Sequence, residues 1–98
     1  MVTGVLVCDL LFGDVHSLKQ KRGVVRPIVA ALRRLDVAAA ETGATDLHRR
    51  AEIGVAAVGT DHAHVREVLE ACERLVAARP EVELLSTRLR LLDDDDLE

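Results

Sequence analysis

The chain has 98 residues, 49 % of them hydrophobic, and a formal charge of −4. It is long enough for one domain with a single core, and no uncharged apolar stretch of about 18 residues exists to make a membrane-spanning helix. With no Trp or Tyr and one Phe, Phe12, the core must be aliphatic and no aromatic stacking surface is offered.

Met1 runs directly into an apolar alternating segment with no basic leader, so a cytoplasmic protein is expected. Charge is uneven: residues 1–50 hold 8 basic and 5 acidic groups, whereas residues 51–98 hold 5 and 12. The acids crowd into the last six residues, so 93–98 is expected to be a solvated, disordered tail on a single domain spanning 1–92. Cys8 and Cys72 lie far apart among apolar neighbours, which predicts two buried free thiols.

Val2 to Phe12 is apolar on both faces apart from Asp9, the pattern of a central strand. Ser17 followed by Gln20 is a capping-box start, and Leu18, Val25, Ile28, Val29, Leu32 and Leu35 recur at helical spacing. Pro27 interrupts that helix and predicts a kink or a break into two pieces. Asp36 to Thr42 is ambiguous, because Val37-Ala38-Ala39-Ala40-Glu41 has the propensity to extend the helix. Gly43 to Asp46 is turn-like, and Ala51 to Thr60 reads as a short apolar strand. Thr60 or Asp61 caps a second helix with the stripe Val65, Val68, Leu69, Cys72, Leu75 and Val76, and Pro80 ends it. Val82 to Leu92 alternates in its second half, with Leu85, Thr87, Leu89 and Leu91 on one face and Leu84, Ser86, Arg88 and Arg90 on the other.

The order strand, helix, strand, strand, helix, strand predicts an α+β, ferredoxin-like split βαββαβ fold, a four-stranded antiparallel sheet with two helices on one face. Val5, Val7 and Leu11 would lie on the other face. An open apolar sheet face on a small protein predicts association, and a homodimer is the simplest form.

Three segments carry a family resemblance: Gly4-Val5-Leu6; His16-Ser17-Leu18-Lys19-Gln20-Lys21-Arg22 with Val24-Val25; and Arg50-Ala51-Glu52-Ile53-Gly54-Val55 with Val58-Gly59. They resemble the YlxP-like family of small bacterial proteins over nearly the whole chain to about Leu92. The resemblance implies a ferredoxin-like fold and a strand at Asp36 to Thr42. It also implies a translation connection, since family genes often lie beside those for a translation initiation factor and a ribosome-binding factor.

The chemistry-bearing feature is the run from Val15 to Leu35, twenty-one residues without a carboxylate in a negatively charged protein. At about 100° per residue, Lys19, Arg22, Arg26 and Arg33 fall within a sector of roughly 60° beside the apolar stripe. Lys21 projects toward the apolar side, where its stem can cover the core edge while its ammonium snorkels. With no acids for i, i+4 pairing, the stripe reads either as a solvated face or as a site for an anionic partner. Backbone N–H groups from Ser17 to Gln20, at the end where Lys19, Lys21 and Arg22 cluster, would add dipole to charge for a phosphate, unless Ser17 and Gln20 already satisfy them.

His48-Arg49-Arg50 is a second basic patch, with Arg50 and Glu52 spaced for a structural ion pair. Asp61-His62-Ala63-His64 has the wrong spacing for two histidines to share a metal on a helix, so no metal is expected. No cofactor or catalytic group is expected either. The chain has no asparagine, which the acylphosphatases on this fold require, and no paired-cysteine loop. These features predict a noncatalytic protein docking structured, ribosomal RNA through His16, Ser17, Lys19, Lys21, Arg22, Arg26, Arg33, Arg49 and Arg50. The alternative is a protein interaction module or homo-oligomer that uses the open sheet face.

Overall fold

The computed structural model describes residues 1–97. Its elements are β1 (Val2–Phe12), α1 (Leu18–Arg33), β2 (Ala38–Gly43), β3 (Arg50–Gly59), α2 (His62–Ala77) and β4 (Val82–Leu92). The four strands form one antiparallel sheet in the order β2-β3-β1-β4, and both helices lie on one face, the ferredoxin-like arrangement. No helix among the described residues is long and apolar enough to cross a membrane.

Period-two burial along β1 sets the layers. Val2, Leu6, Cys8, Leu10 and Phe12 are buried beneath the helices, while Thr3, Val5, Val7, Asp9 and Leu11 face the other way and remain partly exposed. Ala51, Ile53, Val55 and Ala57 of β3 join the core from the neighbouring strand. From above come Val25, Ile28 and Leu32 of α1 and Val65, Leu69, Cys72 and Val76 of α2. Gly4 lets α2 approach closely: a Cβ there would stand 2.5 Å from Val65 Cγ1 and 2.6 Å from Leu69 Cδ1.

Cys8 and Cys72 are free and buried in this layer. Burial foremost, with Glu73, Cys72 and Asp9 adding negative charge, pushes the Cys8 thiol up to about 11. Burial also raises Cys72. Neither is a thiolate nucleophile at neutral pH.

Three local expectations change. First, α1 runs unbroken through Pro27. Gly23 and Pro27 sit one turn apart on the exposed side, where the hydrogen bond that proline cannot donate leaves the Gly23 carbonyl open to water instead of orphaned in the core. Relative to alanine, an interior glycine costs about 1 kcal/mol and an interior proline about 3 kcal/mol.

Second, a bulge opposite Asp9/Leu10 shifts the register of β4, so that Ser86 pairs with Asp9 but Leu84 with Leu10. The extra residue reverses the alternation: Leu84 packs on the core with Leu89 and Leu91, and Leu85 is exposed. Third, the acidic tail is not without structure. Asp94–Leu97 forms one 3-10 turn in which the Asp93 N–H donates to Asp96 Oδ2 at 2.9 Å; Glu98 lies outside the described residues.

Candidate functional site

Helix α1 begins as its sequence dictates. Ser17 Oγ accepts from the Gln20 N–H at 3.1 Å, and Gln20 Oε1 accepts from the His16 N–H at 2.7 Å. The His16 ring is itself engaged, with Nε2 3.0 Å from Asp14 Oδ1. An exposed carboxylate therefore stands beside the helix start, and the Ser17 hydroxyl already takes one first-turn donor, the Gln20 N–H. These contacts weaken the expected phosphate cradle at His16 and Ser17.

Lys21 departs furthest from expectation. It is 2 % exposed, and its ammonium does not reach solvent by snorkelling. Nζ donates at 2.7 Å to both the Ala44 and Leu47 carbonyls. It also lies 2.6 Å from Glu41 Oε2, a charge contact out of line for hydrogen bonding, since that oxygen has no hydrogen-bond partner. Lys21 is thus a structural cation, and the anion-binding role expected for it is corrected: its ammonium is buried and already paired with Glu41. Its partners explain why. Ala44 sits at φ 55°, a left-handed conformation costly for any residue with a Cβ, and its carbonyl also accepts from the Leu47 N–H. The buried ammonium therefore pins the β2–β3 turn in a strained shape.

Two further cations are partly committed. Arg33 Nε donates to the Ala39 carbonyl at 3.1 Å, covering the outer edge of β2, and Arg49 Nε donates to the Phe12 carbonyl at 3.2 Å, closing the β1–β3 end. Arg50 stands across from Leu11 on the face away from the helices, so the structure does not bring it to the α1 stripe. Nor does it pair with Glu52. That carboxylate is held by Arg88 Nη2 at 3.2 Å and the Thr42 hydroxyl at 2.8 Å.

What the structure does assemble is smaller. Lys19, Arg22 and Arg26 are exposed along α1; among the described residues none of them has an ion pair, and Arg22 makes only a 3.4 Å contact from Nε to the Leu18 carbonyl. Arg22 and Arg26 form a ridge between two depressions. One is lined by Lys19, Gly23 and Pro27 as well, and the other by Val25, Val29, Ala30, Arg33, Ala40 and the Lys21 partner Glu41 against the β2 edge. No acid occupies the first turn of α1, so its positive end meets Lys19 and nearby Arg22, an arrangement that works against helix stability.

The open face of the sheet splits in two. Val5, Val7, Ala38, Ala40, Gly54 and Ala56 line a shallow apolar hollow. Beside it Asp9, Glu52, Ser86 and Arg88 form a closed polar network, with Ser86 Oγ donating to Asp9 Oδ2 at 2.8 Å.

The family model described as protein of unknown function (DUF503) matches residues 3–89. The chain belongs to the DUF503 family. It is similar to the uncharacterized protein YlxP of Bacillus subtilis (strain 168), at 29 % identity over 86 residues, which covers 87 % of this chain and 94 % of that protein. The expected family is therefore shown, and the DUF503 match includes every residue of the α1 surface but not the acidic tail.

Lys21→Met should lower the urea-unfolding free energy by about 3 kcal/mol or more, because it leaves the largely buried Glu41 carboxylate without its cation. Adding Glu41→Leu should recover part of the loss. A change below about 0.5 kcal/mol for the single variant would show that the tie is not structural.

Proposed function

We propose that this DUF503 protein is a noncatalytic, cytoplasmic binding protein that docks the exposed face of α1 on structured RNA. Lys19, Arg22 and Arg26 would contact phosphates, with Arg33 at the margin. The observation that carries the reading is a solvent-facing row of cations, Lys19, Arg22 and Arg26, none of which has an ion pair among the described residues, on a protein of net negative charge; the nearby Glu41 is taken by Lys21. A face serving solubility alone mixes its signs. Phosphate-backbone binding needs cations and no aromatic platform, which suits a chain without Trp or Tyr. The translation context implied by the resemblance favours ribosomal RNA as the ligand.

Lys19→Glu combined with Arg22→Glu should weaken binding to a structured RNA hairpin at low salt by more than about tenfold, with the fold intact by circular dichroism. Undetectable affinity of the unaltered protein, or affinity unchanged by the double substitution, would end the proposal.

The open sheet face supports a second reading, self-association with another copy of this chain. Small side chains at Ala38, Ala40 and Ala56 beside Val5 and Val7 leave room for a facing sheet, and sheets pack face to face at about 10 Å. Sedimentation equilibrium should then give a dimer mass that Val7→Asp converts to monomer. A monomer at every concentration excludes this reading.

A further inference from the structure

The glycine and proline of α1 are not explained by the fold. A Cβ added at Gly23 would meet nothing within 4 Å, and no glycine in the chain has a positive φ. Neither space nor backbone conformation therefore requires glycine there. Pro27, four residues on, is exposed and lies inside a continuous helix. A glycine at that spacing eases the clash between the proline ring and the preceding carbonyl. It does not give that carbonyl a donor.

The Gly23 oxygen thus lacks its i+4 N–H partner, and among the described residues no side chain supplies one: the side-chain donors that reach backbone carbonyls, Lys21, Arg22, Arg33 and Arg49, bond elsewhere. Gly23 lines a notch whose other walls are Lys19, Arg22, Arg26 and Pro27. The site therefore combines three donors for anions with one acceptor for a neutral hydroxyl.

Building on the reading that α1 binds nucleic acid, we propose that the Gly23 carbonyl accepts a hydrogen bond from a ribose 2′-hydroxyl while Lys19, Arg22 and Arg26 hold the adjoining phosphates, so that the surface selects RNA by its sugar. In RNA every 2′-hydroxyl lies one sugar away from a phosphate on either side, matching an acceptor flanked by cations. The 2′-hydroxyl is the group by which a protein tells RNA from DNA. The missing side chain at residue 23 lets the sugar approach the helix backbone.

The test compares an RNA hairpin with its 2′-fluoro counterpart, which keeps the A-form helix but has no hydroxyl donor, at one salt concentration. The unaltered protein should bind the RNA about threefold to tenfold more tightly, the worth of one net hydrogen bond. Pro27→Ala restores the N–H that occupies the Gly23 oxygen and leaves every charge in place. It should fold at least as stably, bind the 2′-fluoro hairpin as before and lose the preference for RNA. Gly23→Ala, which fills the notch, should also reduce the preference. Equal binding of the two probes by the unaltered protein, with salt-sensitive affinity for both, overturns the hydroxyl contact while the basic surface stands. A preference that persists in Pro27→Ala likewise overturns it. No affinity for either probe overturns both this inference and the nucleic-acid reading beneath it.

Discussion

One buried ammonium ties the helical layer to the sheet edge. Lys21 enters from the core side of α1 and meets Glu41 on β2 together with the Ala44 and Leu47 carbonyls of the β2–β3 turn. A charge taken out of water is tolerated only when it is paired and hydrogen-bonded, and here one residue satisfies both conditions with three partners. The contact fixes α1 against an edge strand of only six residues, and it holds Ala44 in a conformation that alanine would otherwise avoid. Arg33 adds a second tie two residues earlier on β2, donating to the Ala39 carbonyl. Lys19, Arg22 and Arg26 face outward, and among the described residues none of them has an ion pair.

Much of this was legible in the sequence. The element order, the period-two pattern of β1 and the stripe of α2 specify the sheet, its helical cover and the identity of the open face through Val5, Val7 and Leu11. Local spacing failed where a tertiary contact or an inserted residue decides the outcome. The β4 bulge moves Leu84 into the core and Leu85 out of it, and no composition rule marks one added residue in an alternating run. The helix persists through Pro27 because the lost hydrogen bond faces water. Strand β2 was recognisable only through family resemblance, since its alanines favour helix and its stability derives from pairing with β3 and from Lys21 and Arg33.

The exposed basic surface of α1 was legible in outline, but the fold does not leave every expected cation on it. Sequence reasoning treats the cations of a carboxylate-free run alike, yet the fold sorts them by partner. Lys21 is consumed by Glu41 and two carbonyls, Arg49 and Arg33 each give one donor to a backbone carbonyl, and Arg50 is turned to the opposite face. The signal that could have separated Lys21 was its position at the centre of the apolar sector, where a side chain meets the core before it meets solvent. Lys19, Arg22 and Arg26 remain, around a glycine and a proline that weaken the helix they occupy. A helix carrying cations at its positive end, with no acid in its first turn, is organised for something other than its own stability.

If α1 binds RNA as proposed, the number of cations free to meet phosphates sets the salt dependence of that affinity. For the three free cations, a plot of log association constant against log salt should have a slope of about −2 to −3. A slope near zero would contradict an electrostatic surface on α1. A slope of about −5 or steeper would mean that Lys21, Arg33 and Arg49 leave their partners to reach the ligand, contrary to the contacts that hold this fold together.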